Sequence, residues 1–85
     1  MQITKTQRNY LRKLANPLKP TVQIGKQGLT EQIVEKVGRE LDAHELIKVR
    51  AGAQERDERR EVLDTICART GAAPVQTVGK VMVLW

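Results

Sequence analysis

The sequence predicts a single small α/β domain, with the element order α-β-α-β-α-β-β and a mixed four-stranded sheet carrying packed helices. Three observations support this. Amphipathic segments at helical spacing alternate with short strand-like runs along the whole chain. A strand, a helix and a second strand in succession favour a right-handed crossover and a parallel pair. Near the C-terminus, Gly79-Lys80 separates two strand-like runs by only two residues, which demands an antiparallel hairpin.

Thr4 to Asn16 reads as the first helix. Thr4 and Gln7 have capping-box spacing. Pro17 ends the helix near Asn16, because a residue before proline avoids the helical region. At about 100° per residue, Gln7, Tyr10, Leu11 and Leu14 share one face, a modest apolar stripe. Lys5, Arg8 and Arg12 fall on another face, within an arc of roughly 60°.

Pro20 opens an extended run to Ile24, the first strand, and Gly25-Lys26-Gln27-Gly28 follows as a turn. The second helix spans Thr30 to Ala43, with Ile33, Val34, Val37 and Leu41 on one core face. Leu46 to Ala51 is a strand whose alternation puts Ile47, Val49 and Ala51 on the same side. Asp57 to Arg69 forms the third helix. Val62, Leu63, Ile66 and Cys67 point inward, and Gly71 stands just past its end. Pro74 opens the third strand, which reaches Val78. Glycine comes first in the Gly79-Lys80 turn, as type II′ requires. The unbroken apolar run Val81 to Trp85 predicts a fourth strand covered on both faces, or one ending at a partner.

A chain of 85 residues buries only about 60–65% of its unfolded surface. With one Tyr, one Trp and no Phe, its core must be aliphatic. No run approaches the ~20 apolar residues of a membrane span. The N-terminal MQITKTQRNYLRKL lacks the apolar stretch of a secretory signal. The single Cys67 can form no internal disulfide and has no companions for a zinc site. A reducing cytoplasmic setting is expected, with no membrane partner, no metal and no cofactor.

Charge is more telling by position than by total. Met1 to Gly28 holds six basic residues and no acidic one, and Leu29 to Trp85 holds nine basic and ten acidic ones. The whole excess of +5 therefore lies in the first third of the chain. Such asymmetry points to an anionic partner, nucleic acid or a membrane surface, and nucleic acid is favoured. Solubility alone would need net charge without clustering.

Catalysis has little support. His44 sits at the end of helix two, where it suits the helix dipole. Cys67 lies on an apolar face as a structural thiol. Glu55, Asp57, Glu58, Glu61 and Asp64 interleave with Arg56, Arg59 and Arg60, which reads as a solvated helix start contributing little to anion binding. The glycine loop remains. Glycines at 25 and 28 permit positive φ and close backbone approach. The amides that open helix two carry the positive end of its dipole. A plain strand-to-helix turn would need the same residues, but the loop also ends the acid-free stretch that bears the basic stripe.

The segments TKTQRNYLRKLANPLKPTVQIGKQGLTEQIVEKV, HELIKVR and RREVLDTICARTGAAPVQTVGKVMVLW occur in this order with no large insertion. Together they resemble the CRM domain, the chloroplast RNA splicing and ribosome maturation module, whose bacterial stand-alone form is called YhbY-type. LKPTVQIGKQGLT is the most specific part, and the resemblance takes residues 1–85 as one CRM-like domain. It implies an RNA-binding fold similar to the C-terminal domain of a bacterial translation initiation factor. It further implies a non-catalytic role on structured RNA, namely rRNA in precursors of the large ribosomal subunit. In plants the same module helps group I and group II intron splicing. The family's loop falls on Gly25, Lys26, Gln27 and Gly28, and its basic surface is matched by Lys5, Arg8, Arg12, Lys13 and Lys19.

Many relatives carry a short basic tail beyond the last strand. This sequence stops at Trp85, so contacts from such a tail are not expected. Trp85 itself would be a core anchor or a stacking platform. Two aromatics favour shape and phosphate readout over base stacking, by a protein expected to be monomeric. The alternatives are a protein-interaction adaptor on an assembly factor or ribosomal protein, an RNA enzyme resting on His44 and Cys67, and a DNA-binding protein.

Overall fold

Thr4 begins the first helix as its spacing predicts. In the computed structural model, which describes residues 3–52 and 54–85, the Gln7 amide donates to the Thr4 hydroxyl at 3.1 Å. The Thr4 amide donates back to the Gln7 side chain at 2.8 Å. This reciprocal cap opens α1 (Lys5–Ala15). The remaining elements are β1 (Val22–Ile24), α2 (Glu31–His44), β2 (Ile47–Ala51), α3 (Arg56–Thr70), β3 (Pro74–Val78) and β4 (Val81–Leu84). Thr30 caps α2 by accepting from the Ile33 amide, and Gly71 closes α3 with a left-handed φ of 76°.

The sheet order is β1-β2-β4-β3, with β1 and β2 parallel and the other two pairs antiparallel. Gly79 has φ 57° while Lys80 keeps a negative φ, the combination a II′ hairpin needs. β4 lies inside the sheet and is covered on both faces. Met82 and Leu84 join Ile24, Val37, Val49 and Ile66 beneath α2 and α3. Val83 points the other way, to Val75, Leu46 and the α1 residues Leu11 and Ala15. This accounts for the unbroken apolar run of the last strand. Trp85 is half-buried against the α1 cluster, and its backbone exchanges two hydrogen bonds with Ala73. No helix among the described residues is long and apolar enough to cross a membrane.

One face assignment differs from the sequence expectation. Of Gln7, Tyr10, Leu11 and Leu14, only Leu11 is buried; Tyr10 is 63% and Leu14 46% exposed. The helix is rolled so that Leu11 and Ala15 meet the sheet, with Arg8 half-buried at their edge. The small Ala15 side chain permits close approach over Val83. The same roll brings two arginines to β3: Arg8 donates to the Pro74 carbonyl at 3.4 Å and Arg12 to the Gln76 side-chain oxygen at 2.8 Å. A smaller apolar contact thus combines with polar contacts that apolar periodicity does not register.

Val37 is fully buried in the larger cluster. Val37→Asp would bury an unpaired charge there and is expected to cost more than about 4 kcal/mol, enough to unfold much of a domain this small. A denaturant midpoint unchanged from wild type would show that this face is not the core.

Candidate nucleic-acid interface

The loop that leaves β1 is a tight turn, closed by the Gly28 amide donating to the Gly25 carbonyl at 3.0 Å. Gly28 has φ 80°, where a side chain is strained. Gly25 does not share that conformation, and a Cβ built on it would meet nothing within 4 Å. The freedom anticipated for both glycines is therefore used at one. Lys26 and Gln27, between them, are exposed.

Gln54 holds the loop in place, and sequence reasoning missed it. Its side chain is buried, with the residue 6% exposed. Its Nε2 donates to the Gly25 carbonyl at 2.8 Å, and its Oε1 accepts from the Gly52 amide at 3.0 Å. The Gln54 carbonyl in turn accepts from Arg59 at 2.9 Å. The ends of β1 and β2 come so close that a Cβ on Gly52 would lie 2.5 Å from the Ile24 carbonyl oxygen. The loop, the end of β2 and the start of α3 form one hydrogen-bonded unit. A glutamine beside a run of charges carries no local signal of this role.

Behind the loop, α2 presents its first-turn amides. Thr30 accepts from that of Ile33, while the earlier ones have no partner inside the helix. Glu31, the acid nearest the loop in sequence, is held by Arg69 in a bidentate pair at 2.9 and 2.8 Å. The Arg69 hydrogen bonds, then its charge, lower the Glu31 pKa. The carboxylate thus has a cationic partner of its own.

The nine basic and loop residues singled out from the sequence do not all gather in one place. Gly25, Lys26, Gln27 and Gly28 stand at the C-terminal end of β1, whereas Lys19 precedes the strand at its other end. Lys19 there lines an apolar groove of about 530 Å³ with Leu11, Leu14, Leu18 and Trp85. Lys5 and Lys13 are exposed on α1, and Arg8 and Arg12 reach β3. The structure adds cations from β2. Its alternation turns Lys48 and Arg50 toward the α1 side; Lys48 donates to the Leu18 carbonyl, and Arg50 is exposed in register with Gln23 near the loop.

The two candidate reactive groups lie on different helices. His44 lies 3.4 Å from Glu40, one turn back on α2. Burial, then the nearby Asp64 charge, pushes the Cys67 thiol pKa up, so less of the nucleophilic thiolate forms at neutral pH.

Residues 3–85 match the family model of the CRS1/YhbY (CRM) domain. Over 85 residues the chain is 36% identical to a Pseudomonas aeruginosa protein named a probable RNA-binding protein, covering all of this chain and 82% of that one. It is also 36% identical to a Haemophilus influenzae protein named an RNA-binding protein, covering 98% and 84% of the two. Among solved structures it is similar to the solution structure of a hypothetical Staphylococcus aureus protein proposed to bind RNA. The TM-score is 0.87 and the identity 33%, over 99% of this chain and 88% of that one.

Gln54→Ala removes two hydrogen bonds, leaving the half-buried Gly52 amide without its acceptor and the Gly25 carbonyl with only the Gly28 amide. The expected cost is about 1–3 kcal/mol in chemical denaturation, with faster amide exchange at Gly52. Unchanged stability and exchange would mean that the loop is held by other contacts.

Proposed function

The chain belongs to the CRS1/YhbY (CRM) domain family, and from that premise we propose that it is a non-catalytic RNA-binding protein that docks on rRNA in precursors of the large ribosomal subunit and assists their assembly. It acts as a monomer in the cytoplasm. The observation that carries this reading is Gly25. Neither a positive φ nor a crowded Cβ calls for glycine there in the free chain. Close approach of a partner's backbone does.

The mechanism is electrostatic docking on shape. Lys26 and the first amides of α2 hold backbone phosphates, in the manner of GxxG loops that clamp nucleotides. The α1 cations Lys5, Arg8, Arg12 and Lys13 orient the bound RNA, and Lys19 extends the basic surface past the other end of β1. Arg8 and Arg12 keep free guanidinium hydrogens beyond their single bonds to β3. Phosphate contacts of this kind position a partner without reading its sequence.

The exposed Tyr10, Leu14 and Leu18 favour a second reading, an adaptor for another assembly factor. A protein partner retained after nuclease treatment, and lost with Leu14→Asp, would support it.

Replacing Lys26 and Gln27 together by aspartate should leave the melting transition unchanged, since both side chains are exposed. RNA affinity should fall by at least about tenfold, as two new charges face the phosphates. Wild-type affinity in the folded variant would reduce the loop to a turn.

A further inference from the structure

Arg56, Arg59 and Arg60 alternate with acids in the sequence, and on that ground were expected to add little to anion binding. The helix sorts them. Around α3, Arg59, Leu63, Arg56 and Arg60 fall within an arc of about 100°, while Glu58 and Glu61 lie on the opposite side. The basic arc faces the β3–β4 hairpin across a groove of about 530 Å³ whose other wall is Thr77 and Gly79. Asp57 and Asp64 form one rim. Among the described residues the ion pairs are Glu31–Arg69 and Glu40–His44, so none of these three arginines is matched to a carboxylate.

A chain of hydrogen bonds links the groove to the glycine loop. The Ala51 amide donates to the Lys80 carbonyl at 2.7 Å, which sets the hairpin turn against the end of β2. Gln54 ties that same end to Gly25, and Arg59 donates to Gln54. Lys26, Arg50, Lys80, Arg56 and Arg60 are all exposed around this one end of the sheet.

We propose that the groove between α3 and the β3–β4 hairpin is a second RNA-backbone site, which receives the strand as it passes from the glycine loop across the end of the sheet. This rests on the RNA-binding reading above. Guanidinium groups match phosphate oxygens in bidentate geometry, and Arg56 and Arg60 supply two such forks. Thr77 offers a hydroxyl, Gly79 leaves room for backbone, and Leu63 gives an apolar floor for a ribose. The rim carboxylates accept hydrogen bonds from ribose 2′-hydroxyls, a feature of RNA that DNA lacks.

The test is equilibrium binding of one RNA hairpin over a salt series. It compares wild type, Arg56→Gln with Arg60→Gln, and Lys36→Gln with Arg39→Gln, each checked for an unchanged melt. The last pair changes net charge equally at exposed positions in the middle of α2. Arg59 is left intact because it supports Gln54. Loss of two phosphate contacts should make the slope of log K against log salt shallower by about 1.4 to 1.8, and the α2 pair should leave it alone. Equal slopes for the two pairs would overturn the groove. If the Lys26 and Gln27 aspartate variant still loses affinity, the RNA-binding reading stands without it. No salt-dependent RNA binding by wild type would remove that reading and the groove together.

Discussion

The Gln54 carboxamide makes the two hydrogen bonds on which the loop end of this domain depends. One group satisfies an acceptor on the loop after β1 and a donor at the end of β2, from a side chain almost wholly out of water. A buried amide left half-satisfied costs about 1–3 kcal/mol, so the arrangement is stable with both bonds and poor with one. Because the Gln54 backbone also receives Arg59, the start of α3 is bound into the same unit. A loop tied in this way presents Lys26 and Gln27 with little loss of conformational entropy when a partner arrives.

The rest of the fold makes that end possible. β4 lies between β2 and β3, with apolar side chains on both faces, and so divides the aliphatic core into two clusters. The larger cluster holds α2 and α3 against the sheet. The smaller one is completed by α1, which covers Val75 and Val83 but leaves Gln23 and Arg50 exposed on the same side of the sheet. α1 instead turns Arg8 and Arg12 toward β3, at the opposite edge of the sheet from β1.

Electrostatics follow from how helices sort charge. A run such as Glu55-Arg56-Asp57-Glu58-Arg59-Arg60-Glu61 looks slightly acidic along the chain. Wound at about 100° per residue, it presents a basic strip on one side and an acidic one on the other. Glu31 is likewise acidic in sequence but bound to Arg69 in space. Net charge along a segment is thus a poor guide to the field a partner meets.

Local periodicity was enough to determine the elements, their order, the parallel first pair, the hairpin and the core of α2. Each depends on contacts between near neighbours, or on the few ways a strand-helix-strand unit can close. The Thr4–Gln7 cap and the role of Gly79 were legible for the same reason. The roll of α1, the burial of Gln54, the tight approach at Gly52 and the partners of Arg8 and Arg12 were decided only by tertiary structure. Those contacts join residues 28 to 66 positions apart. Which atoms meet across such separations is set by packing the whole core at once, and a helix rolls to satisfy its polar flank as well as its apolar stripe.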